Sequence, residues 1–278
     1  MKADFNKAAK TAKDYYDSAD ADAFYAAIWG GEDIHVGLYE SDDEDIAEAS
    51  ARTVRHMASK LDLKPGAQVI DIGSGYGGAA RYLAREKGAH VTCLNVSEKE
   101  NARNRRLTEE QGLEDNIEIV HGVFEDMPFP DNSFDVVWSQ EAILHSGDRK
   151  RVLKEVARVL KPGGDFIFTD PMQATTSDDA SDYQPIYDRI HLPDMESIEV
   201  YKTTLEDLGF ETVEIEDLTH QLRNHYARVR KELKSQRHAL EDKISSDYTD
   251  RMLNGLQHWV DGADAGHLSW GVLHFRKH

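Results

Sequence analysis

The chain has 278 residues and a formal net charge of −19, from 52 acidic and 33 basic residues, and this length suits one large α/β domain. A surface this negative repels phosphate backbones and anionic headgroups, which argues against nucleic acid or a membrane as a partner. The single cysteine excludes an internal disulfide, and the polar segment 1–13, with no long apolar run elsewhere, predicts a cytoplasmic protein.

The first part of the chain is predicted to be helical. The helical pattern is clearest over 46–61, where apolar residues recur at helical spacing. Lys64-Pro-Gly66 then interrupts it. We expect residues 1–60 to form a helical cap or lid and residues 61–278 to form the main domain.

Strands and helices alternate from residue 68 onward. The first five strands are predicted at 68–72, 90–96, 117–121, 134–139 and 165–169. The helices between them are predicted at 79–87, 97–112 and 149–160; Gly88 ends the first, and a capping box of Ser97 and Glu100 starts the second. This alternation predicts an α/β fold, a Rossmann-like, doubly wound, mostly parallel sheet that binds its ligand at the carboxyl ends of the strands.

The rest of the chain departs from this rhythm. A helix at 196–208 and a strand at 211–218 precede two or three helices within 220–262 and a strand at 267–277. The sheet is therefore expected to have seven strands, with a helical insertion before the last one. The insertion and the N-terminal helices are placed to roof the ligand crevice.

The strongest motif is Val69-Ile-Asp-Ile-Gly-Ser-Gly-Tyr-Gly-Gly78, a buried strand that runs into a glycine-rich turn and a helix. Gly73 and Gly75 allow positive φ and close approach of a ligand to the backbone. Nicotinamide and flavin dinucleotide sites use similar glycines. Asp71, however, suits a cationic group such as the amino group of a methionyl moiety and opposes a pyrophosphate, so NAD is disfavoured.

Three ordered motifs resemble those of class I S-adenosylmethionine-dependent methyltransferases, over roughly residues 65–175. They are Asp71-Ile-Gly-Ser-Gly75, the segment 127–137 and the segment 160–168. The resemblance implies S-adenosylmethionine as methyl donor. It implies the following cofactor contacts: Asp71, Gly73, Gly75, Asn95, Val96, Phe124 and Gln140.

Two positions depart from that family. At the end of the second strand the family usually has an acid that binds the ribose hydroxyls. Here that position is Asn95, which still accepts and donates hydrogen bonds but carries no charge. The aspartate that contacts the adenine amino group is replaced by Val123 after Gly122. We expect Phe124 and its backbone to hold the adenine edge; a plain packing role for Phe124 is the alternative.

Residues that follow the fourth strand are candidates for the chemistry. The segment Ser139-Gln-Glu-Ala-Ile-Leu-His145 resembles small-molecule N-methyltransferases that act on phosphoethanolamine. In that family the histidine pairs with a tyrosine on an N-terminal helix before an aromatic-glycine step, which implies a latch between Tyr25 and His145. Alternatively, Tyr25 and Trp29 form only the apolar face of a helix. The alternative for His145 is a structural histidine on a helix, hydrogen-bonded to a neighbouring residue.

The pattern of the whole chain resembles sarcosine/dimethylglycine N-methyltransferases, which make the osmolyte glycine betaine. The resemblance rests on the segments 28–39, 168–173, 188–192 and 270–277. The acidic surface agrees with a cell that accumulates salt or osmolyte. Glycine, phosphoethanolamine or a carbon nucleophile remain alternative acceptors, and a non-catalytic sensor of S-adenosylmethionine remains an alternative class.

Such an acceptor carries a carboxylate and an amine. Arg189 can take the carboxylate through its two-pronged guanidinium, or it is a surface arginine paired with Asp188 or Glu196. Aromatic faces favour a quaternary ammonium. The predicted substrate-binding residues are Trp29, Met172, Arg189, His191 and Tyr226, with Tyr25 and His145 as catalytic residues. No metal is predicted, because the spacing of His220 and His225 matches no known ligand pattern; the protein is expected to be a monomer or homodimer.

Overall fold

The computed structural model describes residues 2–29 (backbone alone for 2–6), 32–174, 183–190, 192 and 194–278. Its strands are β1 (Gln68–Ile72), β2 (His90–Asn95), β3 (Ile117–His121), β4 (Phe134–Gln140), β5 (Leu160–Thr169), β6 (Met172–Gln173), β7 (Phe210–Asp217), β8 (Leu268–Ser269) and β9 (Gly271–Lys277). Its α-helices are α1 (Lys2–Tyr16), α2 (Ala19–Ile28), α3 (Ile46–Ser59), α4 (Gly78–Lys87), α5 (Glu98–Glu110), α6 (Arg149–Val159), α7 (Gln184–Ile190), α8 (Ile198–Asp207), α9 (Thr219–Gln236) and α10 (Ser246–Asp264).

Seven strands form one sheet in the order β3-β2-β1-β4-β5-β9-β7. β1 to β5 pair in parallel, whereas β9 runs antiparallel to both β5 and β7. The predicted fold class is confirmed: this is a Rossmann-like, mostly parallel, seven-stranded sheet. Strand order reverses between β1 and β4, so the crevice outside their carboxyl ends is the expected ligand site.

Local sequence explains where the elements begin and end. Ser97 starts α5 by accepting a hydrogen bond from the backbone N of Glu100 at 3.0 Å, and Gly88 ends α4 with φ 65°. Only half of the predicted capping box forms, because the Glu100 side chain turns toward Asn95 instead. β5 begins at Leu160 rather than at residue 165, since Leu160 pairs with Phe134 across a bulge.

The predicted insertion before the last strand is present as α9 and α10. Its apolar faces pack together with α1, α2 and α7 in one buried cluster that includes Phe24, Ile186, Leu222 and Trp259. α3 is shared between two clusters: Ile46 at its start joins the first one, whereas Val54 and Met57 pack with Val69 and Leu83 of the main domain. The roof over the sheet therefore combines both ends of the chain, and the domain boundary at residue 60 stays a prediction. No helix of the described segments is long and apolar enough to span a membrane.

Candidate active site

A cavity lies at the carboxyl ends of β1, β2 and β4. Helices α1, α2, α7 and α9 contribute its other walls. The structure brings most of the predicted site residues to this cavity: Tyr25, Trp29, Gly73, Gly75, Asn95, Val96, Phe124, Gln140, His145, Arg189 and Tyr226. Met172 is fully buried in β6 and does not line it, and His191 lies outside the described residues.

The glycine turn leaves its backbone open to the cavity. Gly73 has φ +77° and Gly75 has φ +50°, a region that favours glycine. A Cβ on Gly73 would lie 2.3 Å from the Cβ of Ala142 and 3.8 Å from the ring of Phe124. The turn thus forms a cradle that a side chain would fill, which fits the close approach of a nucleoside-bearing cofactor.

Asp71 does not reach the cavity directly. In the sheet register it pairs with Cys93 and Trp138, so its side chain shares their buried face beneath the turn. Asp71 is 4% exposed, and burial raises the pKa of its carboxyl to about 7, with His35 opposing this shift. The period of two along a strand accounts for the difference from the predicted direct contact.

At the end of β2, Asn95 contacts the carboxylate of Glu100, which the sequence motifs do not indicate. Asn95 Nδ2 donates to Glu100 Oε2 at 2.9 Å, and both residues line the cavity. Glu100 is 6% exposed, and burial raises its pKa to about 7. An acid from the first turn of α5 therefore stands beside the position where related enzymes carry one on the strand. The signal in the sequence was its place in the capping box.

Two further polar groups face the cavity near Phe124. Glu125 Oε1 accepts from Ser146 Oγ at 2.6 Å, whereas its Oε2 is buried with no hydrogen-bond partner among the described residues. Gln140 Oε1 accepts from Trp138 Nε1 at 3.0 Å, and its Nε2 is likewise without a partner there. These atoms are available to a bound ligand.

His145 pairs with Tyr16 rather than with Tyr25. The Tyr16 hydroxyl lies 3.1 Å from His145 Nε2, whereas the Tyr25 hydroxyl lies 3.3 Å from that of Tyr15. Tyr16 is the last residue of α1, and Tyr25 on α2 packs its ring at 5.0 Å from Trp29. The expected pairing of Tyr25 with His145 is therefore not the one observed. The aromatic-glycine step indicated a tyrosine of α2, whereas the tyrosine that contacts His145 is on α1.

The Tyr16–His145 pair is uncharged at neutral pH. Burial lowers the pKa of His145 to about 4, and the nearby charges of Arg149 and Arg189 lower it further. Burial also holds the pKa of the Tyr16 hydroxyl well above its usual value. The pair can thus close the cavity through a neutral hydrogen bond from α1 to the turn after β4.

Tyr16→Phe is expected to lower kcat about three- to tenfold, because one neutral hydrogen bond contributes about 0.5–1.5 kcal/mol. His145→Ala should lower kcat similarly, and the double variant should add little to either. Tyr82→Phe, on α4 and outside the cavity lining, is the control that should keep the parent rate. A larger loss of kcat in Tyr25→Phe than in Tyr16→Phe would instead favour the pairing of Tyr25 with His145.

Arg189 is a partly buried cation with no anionic partner among the described residues. Its guanidinium lies 5.0 Å from the ring centre of Tyr226 and 5.5 Å from that of Trp259. Nε and Nη1 have no hydrogen-bond partner within the described part of the chain. Asp188 accepts from Gln184 instead, so the alternative surface ion pair is not observed. Since an unpaired buried charge costs several kcal/mol, this arrangement indicates an anionic ligand.

Glu141 is a second site residue that the sequence reasoning missed. It follows β4 with φ 49°, a strained backbone for a non-glycine residue, and it lines the cavity. Its carboxylate accepts from Val36 N at 3.2 Å, Thr169 Oγ1 at 2.7 Å and Trp270 Nε1 at 2.9 Å. His35 Nδ1 lies 3.4 Å away. These donors fix the position and orientation of the carboxylate.

Arg189 and Glu141 place a cation and a hydrogen-bonded carboxylate on the wall of one cavity, which the acids Glu100 and Glu125 also line, and this suits a ligand that carries both charges. No group of three or more His, Cys, Asp or Glu in the described segments is arranged to hold a metal ion. The predicted absence of a metal stays a prediction.

Comparison with known proteins identifies the family. A family model described as a methyltransferase domain matches residues 70–168. The chain is 54% identical to the sarcosine/dimethylglycine N-methyltransferase of Halorhodospira halochloris over 98% of both chains. It is 52% identical to the glycine/sarcosine/dimethylglycine N-methyltransferase of Actinopolyspora halophila, covering 98% of this chain and 48% of that one.

The same relationship appears in structure. A crystal structure of a candidate sarcosine dimethylglycine methyltransferase from Galdieria sulphuraria has 43% identity and a TM-score of 0.89, covering 95% of this chain and 98% of that one. The fold agrees with this relationship. The chain belongs to the sarcosine/dimethylglycine N-methyltransferase family and is an S-adenosylmethionine-dependent methyltransferase.

Proposed function

We propose that this enzyme methylates the nitrogen of sarcosine and dimethylglycine and so produces glycine betaine. The observation that carries the proposal is Arg189, which lines the cavity with no anion beside it among the described residues. A carboxylate matches the fork of a guanidinium in geometry and charge. The charge pattern of the cavity thus fits an amino acid better than a simple amine.

When bound, S-adenosylmethionine supplies a methyl group on a positively charged sulfur. The nitrogen lone pair of the acceptor forms the new N–C bond as the C–S bond breaks, and the electrons of that bond remain on sulfur. Dimethylglycine nitrogen has no proton to lose after this step, whereas methylated sarcosine must release one. The residues of the chain therefore need to select the unprotonated amine and align it more than to remove a proton in the transition state.

The walls of the cavity suit that task. Glu141 supplies a fixed negative charge for the nitrogen end of the acceptor, whose positive charge grows during transfer. Trp29, Tyr25 and Tyr226 present aromatic rings to the same space, and such rings attract a quaternary ammonium by about 0.5–2 kcal/mol. The Tyr16–His145 pair closes the cavity toward α1, which excludes water from the reacting atoms.

We assign cofactor binding to the turn at Gly73 and Gly75 together with the ends of β2, β3 and β4. Asn95, Val96, Phe124 and Gln140 line this part of the cavity, and Glu100 joins them. Asp71 contributes negative charge from beneath the turn rather than by contact. Met172 is buried away from the cavity and His191 lies outside the described residues, so neither supports the proposed substrate site.

Glu100→Gln is expected to weaken binding of S-adenosylhomocysteine about tenfold or more, because hydrogen bonds to a charged group contribute about 1.5–3 kcal/mol. Titration calorimetry measures this directly. Glu98→Gln, an exposed acid in the same helical turn, is the matched control and should bind like the parent. Equal affinity in both variants would remove Glu100 from the cofactor site.

Phosphoethanolamine is the less favoured acceptor. Its phosphate carries up to two negative charges, but His145 is held neutral by burial and Arg189 is the one arginine on the described cavity wall. Glycine lacks the methyl groups that the aromatic wall would contact, yet a methyl difference is worth only about 1–3 kcal/mol. Betaine also agrees with the net charge of −19, since acidic surfaces and osmolytes both serve cells in concentrated salt.

Progress curves distinguish the methylation steps. Incubation with S-adenosylmethionine and glycine, sarcosine or dimethylglycine, followed by mass spectrometry of the products, should show betaine from sarcosine and from dimethylglycine. Dimethylglycine should give the higher kcat/KM, because it brings more methyl surface to the aromatic wall. Methylation of glycine as fast as of dimethylglycine would contradict this order.

A further inference from the structure

His225 on α9 is a buried histidine of the cavity wall that the mechanism above does not use. It is 1% exposed, and its ring lies 5.3 Å from that of Trp29 and 5.5 Å from that of Tyr226. The Arg189 guanidinium lies 5.0 Å from the ring centre of Tyr226. His225 and Arg189 therefore flank the same aromatic ring, and all three residues line the cavity.

The hydrogen bonds of the ring fix its tautomer. Nδ1 lies 3.2 Å from the backbone N of Gly37 and 2.9 Å from the hydroxyl of Tyr39. A backbone N–H can only donate, so Nδ1 is the acceptor and carries no proton. In a neutral imidazole the proton then lies on Nε2. Burial, together with the charges of Arg189 and His35, lowers the pKa of His225 to about 3, so the ring is neutral under ordinary conditions.

The Nε2–H group is a donor with no acceptor among the described residues. The imidazole ring lines the cavity, and hydrogen bonds from Gly37 and Tyr39 to Nδ1 fix its orientation. A donor fixed by its neighbours costs little entropy when it binds a ligand, so it gains affinity and selectivity for an acceptor atom placed opposite it.

We propose that His225 Nε2–H donates a hydrogen bond to one oxygen of the acceptor carboxylate while Arg189 binds the other, so that His225 is a specificity-determining residue for amino acid substrates. This inference rests on the proposed function. A neutral donor adds no charge to the site, so it favours a monoanionic carboxylate over a doubly charged group without increasing the attraction for anions in general.

Two variants separate the ligand contact from a purely structural role. His225→Asn keeps an oxygen near the Nδ1 position for the Gly37 N–H but removes the Nε2–H donor. Dimethylglycine should bind to the S-adenosylhomocysteine-loaded variant about tenfold or more weakly than to the parent, since a hydrogen bond to a carboxylate is lost. Tyr39→Phe removes one partner of Nδ1 but leaves the Nε2–H donor in place, so it should lose less dimethylglycine affinity than His225→Asn; an equal loss in both variants would indicate a purely structural role.

A second probe tests the carboxylate itself. N,N-dimethylpropylamine carries a similar amine without the acid, so its affinity should be the same in His225→Asn and in the parent. Should His225→Asn fail to fold, proton NMR of the parent gives the answer: the imidazole N–H signal of His225 should move downfield with dimethylglycine and not with the amine. An unmoved signal, or equal dimethylglycine affinity in parent and His225→Asn, would overturn the proposal.

Arg189→Met distinguishes this failure from failure of the proposed function. If Arg189→Met weakens dimethylglycine binding and His225→Asn does not, only the role of His225 is lost. If neither variant affects dimethylglycine binding, the carboxylate site itself is wrongly placed.

Discussion

Replacing Arg189 by methionine is expected to weaken dimethylglycine binding by a factor of about 100 to 5000. The estimate follows from the cost of about 3–5 kcal/mol for removing one partner of a buried ion pair. Two guanidinium nitrogens, Nε and Nη1, are buried with no hydrogen-bond partner among the described residues, so removal of this charge relieves an unfavourable group. The thermal midpoint of the ligand-free variant should therefore hold or rise while acceptor binding collapses.

Titration of dimethylglycine into the S-adenosylhomocysteine-loaded variant measures the first effect, and thermal unfolding measures the second. Arg189→Lys keeps the charge but loses the fork, so it should fall between the parent and Arg189→Met. Arg223→Met is the matched control, because Arg223 is exposed and pairs with Asp264 on the surface. An unchanged dimethylglycine affinity in Arg189→Met would place the carboxylate elsewhere.

Gly73→Ala is expected to abolish detectable cofactor binding. The new methyl group would lie 2.3 Å from the Cβ of Ala142, at a backbone φ of +77° that disfavours alanine. The turn must shift to relieve this overlap, and the shift closes the cradle that the cofactor needs. The affinity for S-adenosylhomocysteine should fall about 100-fold or more, as expected where binding requires well-placed backbone.

Gly163→Ala is a matched control for the backbone effect alone. Gly163 has the same φ of +77°, yet no atom lies within 4 Å of the position that its Cβ would take. Both variants should lose about 1 kcal/mol of unfolding free energy from the backbone, but only Gly73→Ala should lose cofactor binding. Retention of parent-like affinity in Gly73→Ala would show that the turn does not hold the cofactor.

The sheet and the cofactor turn are predictable from sequence because their signals are local. The strand of Val69 and Ile70 is apolar, the glycines follow it directly, and Gly88 ends the next helix, so each element is encoded within a few residues. Parallel strands then bring the ends of β1, β2 and β4 to one edge, which places Gly73, Asn95 and Gln140 around one cavity.

The missed residues depend on contacts between distant segments. Tyr16 reaches His145 from the end of α1, and the sequence does not show how far α1 extends over the sheet. Glu141 and His225 acquire their roles from the segment 35–39, whose backbone groups donate to both side chains. Asp71 was placed correctly on its strand, but the face toward which its side chain points depends on the pleat and the neighbouring strands.

We expect the cavity to select an acceptor with both an amine and a carboxylate. Methyl transfer from radiolabelled S-adenosylmethionine to dimethylglycine, phosphoethanolamine and N,N-dimethylpropylamine, measured in parallel, tests it most directly. The charge pattern of Arg189 and Glu141 predicts that dimethylglycine is labelled far faster than the other two and that the product is betaine. Comparable labelling of the amine that lacks an acid, or labelling of phosphoethanolamine alone, would contradict this expectation.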